Sequence, residues 1–208
     1  MITQQQLDGL WDFSDASASE APLRAAAHAA TGAERDEYLT QVARSLGLQG
    51  RFDNAQAVLD GLNSDDGAVA TRIALERGRL ENSSGHPDRA VPHFRQAAAS
   101  AEQHQLEFLR IDALHMLAIT DLDHEAEWTR QALALAGAST EPRTRRWLIS
   151  LHNNHGWTLY DAGDREAAVA EFELTLELAE AIGTPKQQQS AREALAEARR
   201  CQPGASRE

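Results

Sequence analysis

Residues 153–163 read Asn153-Asn154-His155-Gly156-Trp157-Thr158-Leu159-Tyr160-Asp161-Ala162-Gly163, and residues 167–172 continue Ala167-Ala168-Val169-Ala170-Glu171-Phe172. A small residue, Gly156, is followed seven positions on by a turn glycine, Gly163, then by Ala168 and by a large apolar residue, Phe172. The same four-point pattern recurs twice upstream, as Ala43–Gly50–Ala55–Leu59 and as Gly78–Gly85–Ala90–Phe94. Gly50 and Gly85 stand 35 positions apart, and the step of 78 to Gly163 leaves room for one more unit with a longer connection. Such a pattern at this period predicts an all-α superhelical solenoid of helix-turn-helix hairpins. The small residues belong where two helices cross too closely for a longer side chain.

Composition agrees. Hydrophobic residues make up 42% of the 208 residues and aromatics only 5%, so the core must be built from alanine and leucine, both strong helix formers. No run of β-branched and aromatic residues alternates as a strand would. The formal net charge of −12 argues against a nucleic-acid partner, which usually meets a basic face. No apolar run reaches membrane-spanning length and no signal-like segment opens the chain, so no membrane partner and a cytoplasmic location are expected. The lone cysteine, Cys201, cannot form an internal disulfide. Lys186 is the one lysine beside many arginines, which reads as base bias in a GC-rich bacterial genome.

Walking outward from the quoted stretch predicts helices over 143–161 and 165–182, then a capping helix over 186–201 started by Pro185. Upstream, hairpins are expected at 34–48 with 53–62, at 68–83 with 88–103, and at 106–119 with 123–137. The third of these is degenerate, because its turn at Thr120-Asp121-Leu122-Asp123 has no glycine. Pro87 is expected to stop one helix, Asp88 to cap the next, and Pro92 to fall in its first turn. Residues 21–31 form an Ala-rich helix capped by Ser17 or Ser19, with Pro22 in the first turn. The domain plan is therefore an N-terminal helical extension (1–35), four hairpins (36–182), a capping helix (183–201) and a disordered tail (202–208).

The small-turn-small-large spacing resembles the tetratricopeptide repeat over most of residues 36–182. The match is strong in the second and fourth units, fair in the first and poor in the third. His155 stands where the family usually has leucine, and Arg77 departs similarly. The resemblance implies a right-handed superhelix whose concave wall is lined by the first helix of each hairpin. It places Arg44, Arg79 and Trp157 at one matching position, Thr40, Leu75 and Asn153 at a second, and Gly47, Asn82 and Tyr160 at a third. The implied partner-binding groove is thus Arg44, Arg72, Arg79 and Asn82 in its first half, and Asn153, Asn154, Trp157 and Tyr160 in its last unit. Thr40 and Glu76 occupy places where the family's clamp for acidic chaperone tails wants a basic residue and an asparagine, which argues against that use.

The functional expectation is a non-enzymatic interaction module that holds a peptide or protein in the groove, the arginines pairing with an acidic or carboxylate-bearing ligand. A plainer reading leaves these side chains solvated or between repeats, with Trp157 packed on its neighbour. Self-association into a homodimer and small-molecule sensing around Trp157 are the alternatives. A metal-dependent accessory enzyme would need His115, His152 and His155, with Asp112, around one ion, and no His-Glu-x-x-His or cysteine pair accompanies them. No phosphate loop or nucleophile elbow occurs, so no cofactor and no catalytic residue is expected.

Overall fold

The computed structural model describes residues 2–12, 14–62 and 64–200; Cys201 and the tail at 202–208 lie outside the described residues. Among those described the chain is all-helical, with no strand. The helices are α1 (Gln4–Asp8), α2 (Ala16–Ala29), α3 (Gly32–Leu48), α4 (Phe52–Asp60), α5 (Gly67–Ser83), α6 (Pro87–Gln103), α7 (Glu107–Thr120), α8 (Glu125–Ala138), α9 (Pro142–Arg145), α10 (Trp147–Asp161), α11 (Arg165–Ile182) and α12 (Pro185–Arg200). Two compact units divide the chain within α8, Met1–Trp128 and Thr129–Glu208.

In the first unit α3 packs on α2, α4 and α5, and α6 packs on α5 and α7. The N-terminal region is part of this core: Leu23 and Ala27 of α2 share one apolar cluster with Val42, Ala43, Leu46, Ala55 and Leu59. In the second unit α11 packs on α10 and α12. There Phe172 and Ala168 meet Ala194, Leu195 and Ala198 of the final helix.

Two devices read from the sequence decide the packing. Gly50, Gly85 and Gly163 all adopt positive φ, at 73°, 88° and 87°. The residue after each donates its amide back to Leu46, Glu81 or Leu159, the Schellman closure that satisfies a helix's last carbonyls. Gly78 and Gly156 lie where a Cβ would come within 2.5 Å of the Phe94 ring and 2.7 Å of the Phe172 ring. Both rings are fully buried, so the absent side chain is what lets the helices approach.

Several local expectations change. The cap of α2 is Asp15, whose carboxylate accepts from the amides of Ser17 and Ala18, because the helix starts earlier than the alanine run. Pro87 is the first residue of α6 and His86 its N-cap, so Asp88 sits in the first turn and Pro92 in the second, where it forgoes one main-chain bond. Between α6 and α7 a non-glycine, Gln105, takes φ 56°, doing at some steric cost what glycine does in the other turns.

The glycine-free turn of the third unit is held by a side-chain hub. Asp121 accepts from Arg95 Nη2 (2.8 Å) and Trp128 Nε1 (3.1 Å), and His124 Nδ1 lies at 2.9 Å. Arg95 also lies over the Trp128 ring. These hydrogen bonds, that of Arg95 foremost, hold the Asp121 carboxyl down at about 2.

Candidate binding site

Spacings of four and three put Glu37, Gln41 and Arg44 on one stripe of α3, and Arg72, Glu76 and Arg79 on one stripe of α5. The two stripes are in repeat register, and α7 adds Asp112 and His115. Arg72 Nε donates to Glu37 Oε2 at 3.1 Å across 35 positions of sequence. Arg79 donates through Nη1 to Glu76 Oε1 and through Nη2 to Asp112 Oδ1, both at 2.5 Å. The result is a ladder of charge running α3–α5–α7, with three carboxylates and three guanidinium groups largely withdrawn from water.

The structure therefore sorts the arginines expected on the groove. Arg72 is 4% exposed and its guanidinium lies inside the helix packing against Glu37, not on an open face. Arg79 has 14% of its side chain exposed and is committed to two carboxylates of its own chain. Burial pulls its proton affinity down, yet Asp112 and Glu76 more than reverse that, and Arg79 is held charged more firmly than an ordinary arginine. Asp112 mirrors it: burial alone would raise its pKa, but Arg79 and Arg44 hold it below the usual carboxylate range.

Arg44 differs. It is half-buried, and among the described residues its guanidinium makes no hydrogen bond or ion pair, only an approach to the Trp11 ring at 5.8 Å. Burial, followed by the repulsion of Arg79, pushes its pKa below that of an ordinary arginine, although Glu76 and Asp112 partly offset this. His115 is likewise pushed down, by burial first and by the same two arginines against the pull of Asp112. Asn82 lies half-buried near the end of α5.

A second feature of this stripe was not legible beforehand. The amide of Ile2 donates to Glu37 Oε1 at 3.0 Å, and Trp11 Nε1 donates to Gln41 Oε1 at 3.2 Å. Ile2 and Leu7 are buried in the same cluster as Tyr38, Val42 and Leu46. The segment 2–12 thus lies along Glu37, Gln41 and Arg44 of α3, the last of which the repeat frame assigns to a ligand. Nothing in its composition signals this, because the contacts join residues about 30 or more positions apart.

In the second unit Asn153, Asn154, Trp157 and Tyr160 are half-buried residues of α10. Trp157 meets Phe172 edge-on at 5.0 Å and Tyr160 at 5.3 Å. Both pack against the cluster that joins α11 to α12. Arg165 covers the Tyr160 ring at 3.4 Å, and Asn153 donates to the Asn154 side chain. The two rings expected as ligand anchors are therefore partly spent on the core. His152 pairs with Glu171 at 2.7 Å. Among the described residues no three His, Cys, Asp or Glu side chains gather as a metal site, and no helix is long and apolar enough to cross a membrane.

No family model and no curated protein matches the sequence. Among solved structures the chain is similar to the crystal structure of BtubC (BKLC) from P. vanneervenii, with a TM-score of 0.57 and 17% identity over 94% of each chain. At that identity the likeness speaks to the fold alone.

Proposed function

We propose that this chain is a non-enzymatic interaction module of stacked, tetratricopeptide-like hairpins, which binds an acidic peptide or protein segment on the α3–α5–α7 face of its first unit. The observation that carries the reading is Arg44. Every other arginine of the ladder has a carboxylate within hydrogen-bonding distance, whereas Arg44, half-buried beside Arg79, has none among the described residues. A ligand carboxylate there would gain a charge-assisted, forked hydrogen bond and relieve the repulsion between the two arginines. The repeat frame supports the same face, since Arg44 and Arg79 hold one position of the pattern.

The ligand role expected of Arg72 and Arg79 passes to Arg44 in this reading, the other two holding the wall in shape. Selection of random displayed peptides on the full chain should enrich carboxylate-bearing sequences. Arg44→Gln should weaken the selected peptides by about tenfold or more, the worth of one charged hydrogen bond. A selection without acidic bias, or affinities unchanged in Arg44→Gln, would reject the reading.

A further inference from the structure

Segment 2–12 carries Asp8 and Asp12, no basic residue, and four large apolar groups in Ile2, Leu7, Leu10 and Trp11. It meets α3 through one main-chain donor on Glu37, one indole donor on Gln41, and the face of that indole beside Arg44. Glu37 serves two masters: Oε2 takes Arg72 from within the ladder, and Oε1 takes the amide of Ile2 from outside it. The segment therefore ends on the ladder's own charges, and its indole stands beside Arg44, the guanidinium of the ladder that has no carboxylate among the described residues.

The hold is also local. Helix α1 has five residues, too few to persist alone, and it relies on its Thr3–Gln6 capping box and on the burial of Ile2 and Leu7. The amides of Leu10 and Trp11 donate back to Leu7 within the segment, while the bond from the Asp15 amide to the Asp12 carbonyl and the contact of Ser19 with Asp12 tie its far end to the start of α2. Its departure from α3 leaves the Asp15 cap of α2 in place, although Ile2 and Leu7 share their apolar cluster with Leu23 and Ala27 of that helix.

We propose that residues 2–12 are a built-in, displaceable occupant of the α3 stripe. The external partner is then a segment offering the same chemistry, a main-chain donor for Glu37, a buried aliphatic side chain and an indole on Gln41, together with a carboxylate for Arg44. This rests on reading the face as a binding site. It adds that the free chain is self-occupied, so an external ligand pays for the fraction of time the stripe is open.

The test uses the full chain and a fluorescein-labelled peptide with the sequence of residues 2–12. Fluorescence polarisation should show at least about tenfold tighter binding to a chain carrying Ile2→Ser and Trp11→Ala than to the unaltered chain. Adding Gln41→Ala to that opened chain should remove most of the gain. Equal binding to both chains, or none to the opened one, would overturn the proposal and make the segment a fixed cap. A measurement without variants guards against misfolding: by NMR hydrogen exchange, the amides of Ile2 and Trp11 should exchange at least about 100-fold faster than those of Val42 and Leu46. Exchange at the same rate as Val42 would also overturn it. A face that takes the labelled peptide but selects no acidic ligand would sink the interaction reading and leave this inference standing.

Discussion

A methyl group at Gly78 would sit 2.5 Å from a Phe94 ring that is fully buried. Gly78→Ala should therefore cost about 1–3 kcal/mol in a denaturant titration, although alanine is the better helix former. A neutral or stabilising result would mean that the helices can part at no cost. Asp121 makes a pH-dependent case. Its folded pKa of about 2 lies below the ordinary 3.8, so its hub stabilises the fold above roughly pH 4 and loses that contribution as pH falls toward 2. Asp121→Asn should lower Tm at pH 6, and the gap to the unaltered chain should close by about pH 2. The two residues differ in legibility. Gly78 announced itself by spacing, whereas Asp121 stood out only as an absent glycine, because its three partners come from two elements and a turn.

Among the helices, α3 and α5 pair through Glu37 and Arg72, both almost wholly out of water. Arg72→Met leaves the Glu37 carboxylate buried with only part of its hydrogen bonding, and should cost about 3–5 kcal/mol by chemical denaturation. Replacing both, as Glu37→Leu with Arg72→Met, should recover part of that loss, since the unpaired buried charge is gone while the amide of Ile2 loses its acceptor. A double variant as damaged as the single one would contradict this account. The helix limits themselves were readable within a few residues from glycines, prolines and caps. That neither Arg72 nor Arg79 of α5 faces water was not readable. Arg72 and Arg79 look alike in sequence, and their fate is set by Glu37 and by Asp112, residues of other helices.

For the molecule as a whole, the internal ladder is electrically balanced, so the net charge of −12 is carried by the remaining side chains. Self-repulsion of that surface is screened by salt, while buried pairs feel salt much less. Raising NaCl from about 0.02 to 0.3 M should raise Tm by a few degrees, and by a similar amount in Arg44→Gln; a fall in Tm would mean that exposed ion pairs dominate instead. All-helical architecture was legible in full because it follows from small residues at a fixed period. The proposed binding face was legible in part: the frame found Arg44 but could not show that residues 2–12 lie beside it.

The bond from Glu37 to Arg72 has a consequence for how such a chain can change over generations. Purely oily hairpins could be duplicated, deleted or exchanged like identical bricks. Here the first brick carries a hidden minus sign and the second its matching plus, so swapping their order or removing either one strands an ion in the interior. The pairing has a reading direction, and the two helical pairs it joins are not spare parts for one another.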